Sequence, residues 1–86
     1  MRHAAELEFL DLIERSPICR NKRISASLGE KFGIIIACAG KPLGIWGWLD
    51  GALRFRTLAS WEPRISVADA DAALVATIEM ANAHFG

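Results

Sequence analysis

The chain has 86 residues and a formal net charge of zero, and 52% of its residues are hydrophobic while 23% are charged. A length in this range is typical of one small domain, and the hydrophobic content excludes an intrinsically disordered chain. We therefore expect residues 1–86 to fold as a single domain, with enough hydrophobic side chains to leave some of them for an interface.

The sequence contains no recognisable signal peptide or membrane segment. Glu6 and Asp11 interrupt the hydrophobic residues that a signal peptide would need. The longest uncharged run, Phe32–Gly40, is about half as long as the roughly 20 residues of a membrane helix. Two cysteines, Cys19 and Cys38, are too few for a disulfide framework, so we expect two reduced thiols. These features predict a cytoplasmic protein that does not enter the membrane.

The charged residues are distributed unevenly along the chain. Residues 1–14 carry a net charge of −3, residues 15–64 carry +6 and residues 65–86 carry −3. The two ends are therefore acidic and the middle is basic, although the total charge is zero.

The N-terminal segment is expected to form an amphipathic helix from Ala4 to Arg15. Hydrophobic residues recur there at helical spacing, and acidic residues fill the positions between them. Pro17 ends the helix, because the residue before a proline disfavours the α conformation.

The segment from Pro17 to Lys31 allows two interpretations. Pro17 after a serine is typical of the start of a second short helix, which Gly29 would close. Alternatively, Ile24–Leu28 alternates hydrophobic and polar residues, as a half-buried strand does. We favour the strand.

The middle of the chain predicts three further strands in succession. Phe32–Ala39 is uncharged and β-branched, which predicts a strand covered on both faces, and Gly40–Pro42 then turns the chain. Leu43–Leu49 and Ala52–Leu58 form a hairpin, because the Asp50-Gly51 dipeptide between them suits a two-residue type I′ turn.

The two-residue turn also fixes the register of this hairpin. It places Leu49 opposite Ala52, Trp48 opposite Leu53, and Trp46 opposite Phe55. One face therefore holds the aromatic residues and Leu53, and we expect the two terminal helices to lie on it. The other face is mixed and solvated, and it holds Ile45, Gly47, Leu49, Ala52, Arg54 and Arg56.

The last third of the chain predicts a C-terminal helix. Residues 64–67 are either an edge strand or the approach to this helix, and Ser66 with Asp69 resembles a capping box at its start. The helix runs to about His84. Its expected hydrophobic stripe consists of Leu74, Ile78, Ala81 and Phe85. The sequence thus predicts an α+β fold, in which an antiparallel meander sheet of three to four strands is flanked by an N-terminal and a C-terminal helix.

No group of residues has the spacing of a metal, cofactor or catalytic site. His3, His84, Cys19 and Cys38 are scattered, so we predict no zinc site, and Cys38 is expected to be a buried apolar residue. Cys19 has basic neighbours in sequence, as reactive thiols often do, but no histidine lies nearby in sequence to act as its base. We therefore predict that the protein is not an enzyme and needs no cofactor.

The carboxylate pairs in the two helices, Glu6 with Glu8 and Asp69 with Asp71, are spaced by two residues and point to different helix faces. We expect all four to be solvated. Gly47 either makes room beside the tryptophans or marks the close approach of a ligand to the sheet.

Two functional hypotheses follow from the sequence. The first is a protein-interaction module, as a homodimer or a subunit of a larger assembly, because the Phe32–Ala39 strand is uncharged and the acidic and basic residues are unevenly distributed along the chain. The second is a nucleic-acid-binding module that uses a basic sheet face and a tryptophan for stacking. Its candidate contacts are Arg20, Lys22, Arg23, Arg54, Arg56 and Trp61.

Overall fold

The computed structural model describes residues 2–29 and 33–85, with side chains from residue 4 onward. The predicted start of a strand at Phe32 and the side chain of His3 lie outside this part. The elements in chain order are helix α1 (Arg2–Arg15), helix α2 (Pro17–Asn21), strands β1 (Ile24–Leu28), β2 (Ile34–Cys38), β3 (Lys41–Leu49) and β4 (Ala52–Thr57), a 3-10 turn (Ala59–Trp61) and helix α3 (Val67–Phe85).

The four strands form one antiparallel sheet in the order β1-β2-β3-β4, so each strand pairs with its neighbour in sequence. The predicted fold is confirmed: an α+β arrangement in which a meander sheet is combined with an N-terminal and a C-terminal helix. The hairpin register is confirmed at all three predicted pairs, since Leu49 faces Ala52, Trp48 faces Leu53 and Trp46 faces Phe55.

Both interpretations of the segment after Pro17 are partly correct. The favoured strand is present as β1 and pairs with β2. A five-residue helix precedes it, in which Ser16 Oγ accepts a hydrogen bond from the backbone N–H of Cys19 and Pro17 takes the first position. This helix ends at Asn21, and the chain then passes through Arg23, whose φ is 59°, before it enters β1.

The sheet has two faces that we name by what covers them. The closed face carries alternate residues of every strand and lies against α1 and α3; its most buried members are Ile24, Ile34, Ile36, Cys38 and Trp46. As predicted, the aromatic residues of the hairpin belong to this face. Phe9 of α1 meets the Trp46 ring edge to face, with the ring centroids 5.3 Å apart.

The open face carries the intervening residues, and no element of the described chain packs on it. Its members are Ser25, Ser27, Ile35, Ala37, Ile45, Gly47, Leu49, Ala52, Arg54 and Arg56. The prediction that the strand containing Ile34–Cys38 is covered on both faces is therefore wrong. The strand is central in the sheet, but helices cover only the side of Ile34 and Ile36, and Ile35 is half-buried on the other side.

Helix α1 buries a narrower face than its hydrophobic residues suggested. Phe9 and Ile13 are fully buried, whereas Leu7 is 41% exposed. Glu6 is 2% exposed, so the expectation that it is solvated is wrong. The reason is geometric, because Glu6, Phe9 and Ile13 lie at helical spacing on the one side that faces the sheet.

Helix α3 approaches the core through small residues. The buried positions are Ala70, Ala73, Ala76, Thr77 and Ala81. Of the predicted stripe only Ala81 is buried; Leu74 is half-buried, and Ile78 and Phe85 are 39% and 37% exposed. Small side chains let the helix axis come close to its neighbours, which leaves the larger residues at the rim of the contact.

The turns differ from the prediction at one place. The β2–β3 turn is Ala39-Gly40, with φ values of 53° and 80°, and Lys41 and Pro42 already belong to β3. Pro42 is tolerated there because the register shifts beside it, between Ile36 and Ala37.

The chain from residue 64 to 67 contains no strand and is the approach to α3. The predicted cap is present, since the N–H of Asp69 donates to Ser66 Oγ at 3.1 Å. Within the described residues, no helix has both the length and the apolar composition needed to cross a membrane.

Candidate functional site

The open face of the sheet is not covered by any helix of the described chain. Ile35 and Ile45 lie side by side on the two central strands, where they are directly paired, and both are half-buried. Leu49, near the end of the hairpin, is 60% exposed. In a two-layer fold these residues have no partner layer, so they present hydrophobic side chains to the surroundings.

A shallow groove of about 300 Å³ lies over Gly47 on this face. Ile45, Leu49, Arg54 and Arg56 surround it. A Cβ atom on Gly47 would meet nothing within 4 Å. The expectation that Gly47 makes room beside the tryptophans is therefore wrong, because Trp46 projects from the opposite face.

The glycine that does make room for an aromatic ring is Gly44, on the closed face. A Cβ atom there would collide with the ring of Phe55 and would lie 2.6 Å from the backbone oxygen of Arg56. Gly44 and Gly47 both lie in β3, so the sequence placed a glycine on each face of this strand. The regular alternation along the hairpin places Gly44 on the same face as Trp46 and Gly47 on the opposite face.

The charges of the open face have one sign. Arg54 and Arg56 project from β4 and are exposed, and neither forms an ion pair with a carboxylate of the described residues. No acidic residue lies on this face in the described chain. The other edge of the same face carries the two serines of β1.

The six residues predicted for nucleic-acid binding do not come together. Lys22 and Arg23 lie beside the start of β1, and Arg54 and Arg56 lie on β4 at the opposite edge of the sheet. Arg20 is exposed on α2.

Trp61, the sixth of these residues, is only 8% exposed and belongs to the hydrophobic core. The suggestion that it offers a stacking surface is therefore wrong. The 3-10 turn after β4 directs its ring inward, where a base would not reach it.

Lys22 and Arg23 instead share a groove with two cations that the sequence did not group with them. Lys41 and Arg64 line the same groove, which lies at the end of the sheet where β1 begins and β2 ends. These four residues come from three different places in the chain. No local pattern in the sequence predicts their convergence, because only the turn positions bring them together.

Both cysteines are buried and free of disulfide bonds. Cys19 is fully buried, and its Sγ lies 3.4 Å from Met80 Sδ. Burial raises the pKa of the Cys38 thiol, and the nearby Asp69 carboxylate raises it further while Arg23 lowers it. Cys38 thus behaves as the buried apolar residue that was predicted, and its thiol is held in the protonated form.

A second hydrophobic surface lies between α2 and α3. Ile18 is 58% exposed and Val75 is 53% exposed, and both line a groove of about 510 Å³. Unlike the open face, this groove carries charges of both signs, from Lys22, Asp71 and Glu79. This groove is a second surface at which the protein could associate.

Comparison of the chain with protein-family models, with curated proteins and with solved structures finds no match. The surfaces described above are therefore what indicates the function of the protein. The described residues contain no group of three or more metal-ligating side chains. His84 is paired with a carboxylate, since its Nε2 lies 3.2 Å from Glu8 Oε2.

Proposed function

We propose that this protein is a small interaction module that self-associates as a homodimer through the open face of its sheet. The observation that carries the proposal is the half-buried pair Ile35 and Ile45 at the centre of that face, over which no helix of the described chain lies. Antiparallel sheets with one solvated face normally carry polar residues on it. Here the two central strands carry isoleucine, alanine and glycine instead.

The interface is a face and not a strand edge. β2, the most hydrophobic strand, is paired on both sides within one chain, so its backbone needs no partner. The two edge strands are a short serine-containing strand, β1, and an arginine-containing strand, β4. Short and charged edges resist strand addition, which leaves the open face as the better surface for association.

The size of the face predicts a weak dimer. Four strands about 4.8 Å apart, with five to six residues of roughly 3.3 Å each, give about 350 Å² of flat area per chain. Two such faces remain below the roughly 1,200 Å² that separates transient from stable complexes. We therefore expect association that depends on concentration in the micromolar range.

The charges on the face favour one orientation of the two copies. A twofold axis parallel to the strands places β4 of one copy over β1 of the other and keeps each residue at its height along the strands. Arg56 of one copy then faces Ser27 of the other, because these two residues belong to one row across the sheet. An axis across the strands would place the arginines of the two copies against each other, which is unfavourable.

A cytoplasmic location and a non-enzymatic role complete the proposal. Two buried free thiols are typical of proteins in a reducing compartment. Neither thiol is accessible as a nucleophile.

The proposal is tested by measuring the solution mass with light scattering after size exclusion, from about 10 μM to about 1 mM. We expect the mass to rise from one chain toward two. Ile45→Lys should abolish the rise because it places a charge at the centre of the interface, while the circular dichroism spectrum stays unchanged.

The matched control for this experiment is Val75→Lys, which places the same charge on the groove between α2 and α3. It should dimerise like the unmodified protein. A monomer at every concentration, or a dimer that only Val75→Lys disrupts, would contradict the proposal.

Nucleic-acid binding is the alternative. Its support is now limited to Arg54 and Arg56, which project together from one strand of the open face. If this alternative were correct, an oligonucleotide would bind with an affinity that falls steeply with salt. Arg54→Gln with Arg56→Gln would then abolish that binding and leave the solution mass unchanged.

A further inference from the structure

The groove at the β1 end of the sheet has features that the dimer does not use. Its volume is about 530 Å³, within the range of sites for small molecules. Four cations line it, Lys22, Arg23, Lys41 and Arg64, together with a single carboxylate, Asp69. The local charge is therefore strongly positive in a chain whose total charge is zero.

The backbone fixes three of these cations relative to one another. The N–H of Ala39 donates to the backbone oxygen of Arg23 at 2.9 Å, which joins the end of α2 to the β2–β3 turn. Lys41 is paired with Cys38 in the β2–β3 ladder. The Cys38 thiol in turn donates to the backbone oxygen of Lys22 at 3.5 Å. The cations thus stand on anchored backbone, although their side chains are exposed.

Two of the residues that hold this arrangement have left-handed backbone. The φ of Arg23 is 59° and that of Ala39 is 53°, in a region that costs a non-glycine residue about 1–2 kcal/mol. Glycine or asparagine would be less strained at position 23.

The cations also keep their hydrogen-bonding capacity. None of the four forms an ion pair with a carboxylate of the described residues. Asp69 lies in the first turn of α3, where the helix dipole favours it, and its N–H is capped by Ser66. The groove is thus rich in donors that have no acceptor within the described chain.

We propose that this groove binds a phosphate group, supplied by inorganic phosphate or by a small phosphorylated metabolite. Arginine forks and lysine ammonium groups are the side chains that recognise phosphate oxygens. The remaining lining includes Ile65, Ala39 and Ala72, which offer an apolar surface to the body of a small ester.

The site favours a compact anion over a nucleic-acid strand. A strand needs a continuous cationic track and aromatic rings for its bases. No aromatic side chain lines this groove, and Arg54 and Arg56 lie at the opposite edge of the sheet.

The experiment is a titration of the ¹⁵N-labelled protein with inorganic phosphate and, separately, with glycerol 3-phosphate at low ionic strength. We expect saturable amide shifts confined to residues 22–23, 39–41 and 64–69, with half-saturation in the millimolar range. Equal affinity for both probes would identify the phosphate group itself as the ligand. Tighter binding of glycerol 3-phosphate would identify a phosphorylated metabolite.

Three kinds of variant sharpen the titration. Lys22→Gln and Arg64→Gln should each weaken binding about fivefold, because each removes a charged donor. Asp69→Asn should strengthen it about threefold by removing the opposing carboxylate. Arg54→Gln with Arg56→Gln, which removes two positive charges outside the groove, should leave the affinity unchanged.

Three results would overturn the proposal. The first is a shift that grows linearly with phosphate up to about 20 mM, as for non-specific screening. The second is equal weakening by the Arg54 and Arg56 substitutions. The third is an oligonucleotide that binds more tightly than either probe and shifts residues of β4, which would assign the cations to nucleic acid. The groove shares no residue with the open face, so the first of these results does not depend on whether the protein dimerises.

Discussion

The two faces of the sheet are built from alternate residues of the same strands, yet they differ in what covers them. On β2, Ile34 and Ile36 are fully buried beneath the helices, whereas Ile35 between them is half-buried on the open face. Their side chains are identical. The difference shows that hydrophobicity gave both faces the capacity for burial, and that the position of the two helices decided which face became the core.

The largest expected difference between the two faces is in the cost of truncating a side chain on each of them. Trp46→Ala should destabilise the protein by about 3–5 kcal/mol, because Trp46 packs edge to face against Phe9 and Phe55 and its removal leaves a cavity. For a chain of this length, whose total stability is on the order of 4–13 kcal/mol, that loss is severe. Urea denaturation measures it.

The matched control is Leu49→Ala on the open face, which should cost less than about 0.5 kcal/mol in the monomer. Similar losses for both variants would mean that the open face is covered in solution even at low concentration. Trp46→Phe should cost less than Trp46→Ala, since it fills most of the space and removes an indole N–H that has no acceptor in the described chain.

The two glycines of β3 provide a finer test, because they receive the same added methyl group on opposite faces. Gly44→Ala should cost about 1–3 kcal/mol, since the new Cβ atom meets Phe55 and the backbone of Arg56. Gly47→Ala should be neutral or slightly stabilising, because its Cβ atom meets open space and alanine restricts the unfolded chain. Thermal unfolding of the two variants measures the difference. A lower melting temperature for Gly47→Ala than for Gly44→Ala would contradict this assignment of the two faces.

The smallest expected effect concerns the pH dependence of stability. The pKa of the Cys38 thiol is raised in the folded protein above its ordinary value of 9.0, so the folded state retains this proton more strongly than the unfolded state. Its contribution is present below about pH 9 and is lost as the pH rises toward the folded pKa. In the presence of a reductant, the free energy of unfolding should therefore fall more steeply above pH 9 than in Cys38→Ala. Identical slopes would show that the thiol is solvated.

Local signals were sufficient for much of the fold. The Asp50-Gly51 turn has φ values of 52° and 79°, as a type I′ turn requires, and it set the register and therefore the faces of the hairpin. Ser66 was identified as a helix cap because its side chain acts on a residue only three positions away.

The predictions that were wrong concern residues whose burial depends on contacts between segments distant in sequence. The burial of Glu6 depends on where α1 meets the sheet, and the inward position of Trp61 depends on the turn after β4. The candidate sites were the hardest part to predict from the sequence. The sequence pointed to Lys22 and Arg23, but their neighbours Lys41 and Arg64 are brought to them only by the fold.

The meander topology has a consequence for the order in which the molecule assembles. Every strand pairs with the next one in the chain, so each sheet contact closes a short loop. The contact between α1 and α3 is different, since Glu8 and His84 are 76 positions apart and their loop is the costliest to close. Local contacts form fastest in small domains. We therefore expect the hairpins to form ahead of the helix pair, an order that hydrogen-exchange labelling during refolding would reveal. The face proposed for dimerisation would then exist before the other face acquires its cover, and until the helices arrive both sides of the sheet are equally available to a second copy.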